Sequence, residues 1–268
     1  MENTTLNLWK DWRLHAVVFA IVIITELIGT HQFQIGPGTV LLLPMLYAVV
    51  IGLATFFTPL ISKVQSSKAE SLVFMSVTLL IAKFGVQAGP ALPELIQAGP
   101  ALIFQEFGNL ATILIALPVA VFLGLKRETI GMTHSIGRES NLALISEKYG
   151  VSSPEGRGVV SMYIFGTLFG AIFLGLTSGF FASVFPISPL SFAMATGIGS
   201  GSMTAASLGP LVAMYPDQAD LITAYSGASN LLTSVTGLYM SIFIGLPLTE
   251  KYFSLMSRIK NKKAKESE

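Results

Sequence analysis

The chain has no cysteine, only three histidines and only three aspartates in 268 residues. Without cysteine there are no thiol nucleophiles, disulfides or thiolate metal sites. The last histidine, His134, lies in a polar middle segment, so no base accompanies the Gly/Ser-rich stretch further on and a Ser–His catalytic pair is not supported. Asp11, Asp217 and Asp220 all read as peripheral and solvated, which argues against a pair of intramembrane aspartates sharing a proton. No lysine follows the glycines in the phosphate-loop pattern, so ATP is not the expected driver. Charge is scarce as well: 12% of residues are charged, where a soluble domain carries roughly 25%. A net charge of +1 gives no sign of a nucleic-acid partner.

Apolar residues fill the space left by charge. They make up 52% of the chain, and the mean hydropathy is +0.68. These values predict an all-α, polytopic integral membrane protein with the lipid bilayer as its solvent. The run Leu14–Gly29 has no small-x-small cleavage site and is followed by further apolar runs, so it is expected to be a retained first helix; Glu26 lies inside it near the interface. A second span is expected from Gly36 to Leu60 with a kink at Pro44, and a third run begins at Leu72 and ends at Lys83, which snorkels to the interface or acts as a counter-charge. Further spans are expected at Asn109–Leu125, Val159–Phe181 and Ser226–Pro247, giving about seven to ten crossings in all. Residues 1–130 then form an N-terminal membrane repeat and 131–157 a polar linker, with a short interfacial or connecting helix at Glu139–Tyr149. Residues 158–250 form a C-terminal membrane repeat, and 251–268 a basic tail that should be cytoplasmic.

Two stretches interrupt the apolar pattern. Gly197–Pro210 reads GIGSGSMTAASLGP, and the segment from Phe84 to Asn109 holds Gly89-Pro90, Gln87, Gln105 and Glu106. Glycine and proline weaken a helix interior, and broken backbone survives in a bilayer only where protein or a water-filled cavity satisfies it. The two breaks occupy corresponding places. Asn109–Lys126 laid on Asn230–Pro247 matches at seven of eighteen positions, including Asn109 with Asn230 and Thr112 with Thr233. Two halves with matched broken segments point to a transporter's binding site at the membrane midplane.

The expected function is therefore a secondary carrier of a small polar or anionic organic solute, coupled to Na⁺ or H⁺. A channel is the alternative, and an intramembrane enzyme is disfavoured. Half-helix starts bind anions through free N–H groups, so Gly199, Ser200, Gly201 and Ser202 lead the candidate solute site, joined by Gln87, Gly89, Asn109 and Asn230, the two asparagines each at the start of the helix that follows. Glu106 is the candidate coupling carboxylate, with Gln105, Thr112 and Thr233 beside it. The competing readings are that Glu106 caps the helix near Asn109 and that the Asn, Ser and Thr positions are glue between helices. Arg138 and Glu139 read as a loop salt bridge, with gating as the alternative. No cofactor or metal is expected beyond Na⁺ as coupling ion, and the expected partners are the solute and a second copy of the chain as a homodimer.

Ile136–Val159, IGRESNLALISEKYGVSSPEGRGV, followed by GIGSGSM at 197–203, resembles the bacterial membrane family called domain of unknown function 3100 over nearly the whole chain. More distantly, the paired breaks resemble elevator-type carriers of the cation-proton antiporter and anion-transporter superfamily, which includes 2-keto-3-deoxygluconate permease and the bile-acid sodium symporters. That resemblance implies two inverted repeats, broken helices in a moving core, and a place in the bacterial inner membrane. The second half of the chain is one span short of that pattern.

Overall fold

The computed structural model describes residues 10–66, 89–134 and 136–266, with scattered positions between 69 and 86. Helix α1 (Trp12–Ile28) starts where the Asp11 carboxylate accepts the Leu14 N–H at 3.1 Å, and it ends at Gly29 with φ 74°. The next segment departs from an all-helical reading. His31–Ile35 (β1) and Gly38–Leu42 (β2) pair antiparallel around Gly36-Pro37. The sequence explains this: alternating Gln and apolar residues precede a Gly-Pro turn whose glycine takes φ 59°. The Thr39 N–H donates to Ser183 Oγ at 2.8 Å, which fastens the hairpin to a later helix. Pro44 opens α2 (Pro44–Phe56) at its first position instead of kinking a longer span, because a proline in the first turn removes no helical hydrogen bond.

The break expected from Phe84 to Asn109 is shorter than the sequence suggests. A short helix α3 (Leu92–Gln97) is followed by α4 (Gly99–Phe122), which runs unbroken through Gln105, Glu106 and Asn109. Pro100 fits in its first turn, and Pro118 is carried inside. The polar middle segment forms α5 (Glu128–Thr133) and α6 (Arg138–Tyr149), the latter the short helix expected there. Ser153 caps α7 (Pro154–Phe165), accepting the Gly156 N–H at 2.9 Å, and a π-helical turn (Gly166–Gly170) leads into α8 (Ala171–Val184). Helices α5 and α7 touch backbone to backbone: a Cβ on Gly158 would lie 2.9 Å from the Glu128 carbonyl carbon.

After Pro186, α9 (Pro189–Thr196) and α10 (Gly201–Met214) flank a four-residue interruption. The last part of the chain is one continuous helical rod: α11 (Ala219–Met240), a π-helical turn (Ser241–Gly245) and α12 (Leu246–Glu266). Residues 251–266 of the expected basic tail are thus helical, and part of that helix is held. Tyr252, Phe253 and Met256 pack on Ile113, Leu117 and Val121 of α4, and Lys260 Nζ donates to the Val121 carbonyl at 2.8 Å.

Among the described residues two helical stretches are long and apolar enough to cross a membrane, Gly99–Phe122 and the 45-residue Pro216–Lys260. Forty-five helical residues span about 68 Å, roughly twice a bilayer's hydrocarbon core, so only part of that rod fits within one. Among the described residues the fold is helical apart from the hairpin, and two of its helices are apolar and long enough to suit a membrane. Its largest buried cluster lies where α9, α10 and α11 meet, around Ala193, Leu211, Ile222 and Ala224.

Candidate functional site

The interruption between α9 and α10 covers Gly197–Ser200. Pro210, expected to close the break, lies inside α10. Close approach explains the glycine at its start: a Cβ on Gly197 would lie 2.5 Å from Ser229 Cβ and nearer still to the Ser226 carbonyl of α11. The freed backbone groups find partners on that helix. Asn230 Nδ2 donates to the carbonyls of Gly197 at 3.0 Å and Gly199 at 2.8 Å, and to Thr204 Oγ1 at 3.1 Å. The Ser229 hydroxyl donates to the Met194 carbonyl at 2.7 Å, and the Thr196 and Ser226 hydroxyls pair at 2.7 Å. Polar side chains of α11 thus satisfy the carbonyls at the end of α9.

Behind this lies a buried carboxylate. Glu106, 5% exposed, accepts three hydrogen bonds, all from neutral donors. Gln105 Nε2 (2.8 Å) and Thr233 Oγ1 (2.6 Å) reach Oε1, and Asn109 Nδ2 (3.3 Å) reaches Oε2. Gln105 also connects the carboxylate to the break, since its Oε1 lies 2.9 Å from Ser229 Oγ and shares that hydroxyl's single proton with the Met194 carbonyl. Five residues drawn from the two halves of the sequence, Gln105, Glu106, Asn109, Ser229 and Thr233, therefore share one polar seam between α4 and α11, and Asn230 beside Ser229 serves the break. Glu106 does not cap a helix start, and neither asparagine sits at one: Glu106 and Asn109 lie within α4 and Asn230 within α11. Hydrogen bonds of this kind do hold the two helices together, so the seam is also glue.

Other expected positions lie elsewhere. Thr112, matched to Thr233 in the sequence comparison, is exposed, as is Ser202. Gln87 falls outside the described residues. A Cβ added at Gly89 would meet the Val86 carbonyl at 3.4 Å, and the adjoining Pro90 and Glu94 lie beside Asp220 and Leu221 at the start of α11. The Gly197–Ser200 break is met instead by α4 one to three turns further on, where Ile198 approaches Gly108 and Ser229 bridges to Gln105. Lys83, Asp217, Asp220 and Glu26 are exposed.

On the other side of the break is a cavity of about 120 Å³. Ser200, the N-cap of α10, and Gly137, the N-cap of α6, both line it, and neither helix start carries a side-chain cap. Arg138 also lines it, its guanidinium stacked 4.6 Å over the Tyr163 ring. Free N–H groups at helix starts and a guanidinium favour an anion. Arg138 is thus drawn to the break and an aromatic face, which the reading as a loop salt bridge did not anticipate; the Glu139 side chain lies outside the described residues. Nothing in the sequence singles out Tyr163, Thr204 or Ser229, because single hydroxyls in apolar helices carry no pattern of their own.

His134, just before this region, is fully buried, and burial pulls its pKa down to about 4. Its imidazole lies against the backbone of the second π-helical turn, with Cε1 2.6 Å from where a Cβ on Gly245 would stand.

No curated protein and no solved structure matches the chain. The model of one family, described as a protein of unknown function (DUF3100), matches residues 23–255, and the chain belongs to that family.

Proposed function

We propose that the protein is a secondary active carrier of a small organic anion, working as a multi-pass protein of the bacterial inner membrane with its basic C-terminus on the cytoplasmic side. The observation that carries this reading is the cavity at the helix break, where two uncapped helix starts and Arg138 surround space for a small solute. An anion there is attracted by the guanidinium and occupies N–H groups that have no acceptor within their own helices.

Coupling falls to Glu106. Its carboxylate connects through Gln105 and Ser229 to the end of α9, and Asn230, beside Ser229, holds the break itself. A proton or Na⁺ arriving at Glu106 competes with its three neutral donors, so the charge state of the seam and the geometry of the break are linked. The two apolar halves, with a broken segment in the second and a Pro/Gly-interrupted one in the first, support a repeat-built core of the elevator kind. The exposed apolar face of α1, including Phe19, Ile23 and Leu27, suits lipid or a second copy of the chain.

The test is uptake of labelled small organic acids into proteoliposomes with and without an imposed Na⁺ or pH gradient. Saturable, gradient-driven accumulation is expected. Flux that neither saturates nor responds to a gradient makes the protein a channel and overturns the reading.

A further inference from the structure

We propose that the ion taken up at Glu106 is a proton, bound on Oε2, and that the seam does not accept Na⁺. This rests on the reading of Glu106 as the coupling carboxylate and names the ion it binds.

The groups around the carboxylate decide between the two ions. A carboxylate only accepts, so both neighbouring amides turn their NH₂ groups to it, Gln105 Nε2 at 2.8 Å from Oε1 and Asn109 Nδ2 at 3.3 Å from Oε2. A hard cation takes oxygen ligands, and an NH₂ group supplies none. The Gln105 amide oxygen lies instead 2.9 Å from Ser229 Oγ, so Thr233 Oγ1 is the one oxygen among the three groups bonded to Glu106. Contacts of 2.6–3.3 Å leave no gap for an ion between the carboxylate and these groups. Glu106 is 5% exposed and Asn109, Ser229 and Thr233 no more than 3%, so Na⁺ would also have to shed its water here.

A proton asks for less. Oε1 is held by two short contacts and Oε2 by the single long one, so Oε2 is the oxygen free to take it. The Asn109 amide then turns over and its Oδ1 accepts the new O–H, while Gln105 and Thr233 stay on Oε1. The effect still reaches across the two helices. The Thr233 hydrogen bond to an ionised carboxylate is charge-assisted, and protonation leaves it a neutral one roughly half as strong. Titratable groups on the elements packed against α4 are turned elsewhere. Tyr252 and Lys260 of α12 reach the Leu114 and Val121 carbonyls, at least about two turns along α4, and Tyr225 of α11 reaches the Glu94 carbonyl. Glu250 of α12 pairs with Tyr149 and Glu128 of α5 with Arg157, while Glu94, Asp220 and Tyr239 are exposed.

The experiment is an infrared difference titration of the full-length protein in detergent, acidified in choline chloride and again in NaCl of equal ionic strength. The carbonyl band of a neutral carboxyl should grow in as pH falls, be missing from Glu106→Gln and be unmoved by Na⁺. Should that variant not fold, Glu106→Asp should displace the band. Thermal unfolding of the unaltered protein supplies an arm that needs no variant, because an ion bound to the folded state alone raises stability with its concentration. NaCl should give the same unfolding temperature as choline chloride. A rise specific to Na⁺, suppression of the band by Na⁺, or the same titration with and without the Glu106 carboxyl overturns the assignment. None of these measurements uses a solute. A flat uptake screen therefore removes the carrier and leaves the proton site standing, whereas a Na⁺ effect removes the proton and leaves the carrier.

Discussion

The hydroxyl of Thr233 donates to the carboxylate of Glu106 at 2.6 Å, joining two residues 127 positions apart in the chain. One helix supplies the charge and the other a donor, and the same threonine oxygen accepts a longer contact of 3.4 Å from Gln105 Nε2. A proton on Glu106 Oε2 displaces the Asn109 amide, and one on Oε1 forces the Thr233 hydroxyl to turn round and accept. Only the second change rearranges a contact between α4 and α11, since Asn109 and Glu106 share α4.

Glu106→Gln tests the coupling role. Glutamine keeps the shape of the side chain but places an NH₂ group against at least one of the three donors, so a loss of about 1–3 kcal/mol is expected along with a protein that remains monodisperse in detergent. The variant should bind solute but not accumulate it against a gradient. Accumulation at the unaltered level with the same ion requirement would assign Glu106 a purely structural role.

Asn230→Leu removes the amide that serves the Gly197 and Gly199 carbonyls and Thr204. The strained or unpaired backbone should cost about 1–3 kcal/mol for each buried group left without a donor, seen as a lower unfolding temperature. Solute binding should fall further than in a variant of equal stability altered away from the break. Equal loss in both would show that Asn230 acts on stability alone.

Gly197→Ala drives a methyl into the backbone and side chain of α11 at Ser226 and Ser229, so α9 must shift away from it. Overpacking of this kind costs about 1–3 kcal/mol. Gly52→Ala in α2 is the matched control, because nothing stands within 4 Å of its added carbon and alanine favours a helix. The melting temperature should fall in the first variant and hold or rise in the second.

His134 makes stability depend on pH. Its folded pKa, about 4, lies below the ordinary value of 6.5, so above pH 6.5 the residue is neutral in both folded and unfolded chains. As pH falls from 6.5 towards 4 the unfolded chain takes up a proton that the folded one refuses, and stability drops by up to about 3 kcal/mol. His134→Leu should flatten this part of the profile, as measured by unfolding temperature at each pH. An unchanged slope would place the titrating group elsewhere.

Several elements were legible because their cause is local. The polar stretch around Arg138–Tyr149 forms a helix, and the glycines at 197 and 199 interrupt one, each following from local backbone chemistry. The hairpin at His31–Leu42 was hidden by hydropathy, which counts Val40, Leu41 and Leu42 as membrane residues whatever their backbone does. Proline misled in the other direction: Pro100 and Pro44 sit in first turns and Pro118 and Pro210 inside helices, so the same residue type does not mark a break by itself.

By itself the sequence determined an apolar, cysteine-free, helical chain with a membrane character, a glycine-rich interruption, and Glu106 as a carboxylate set among apolar neighbours. These are properties of composition and short-range backbone chemistry. The tertiary structure alone decided that Thr233 reaches Glu106 while Thr112 is exposed, that Asn230 serves the break, and that Arg138 and Asn141 line a cavity with Ser200. Equivalent letters at equivalent spacings diverge because burial and hydrogen bonding depend on which face a neighbouring helix covers, and that is fixed by packing between segments more than a hundred residues apart.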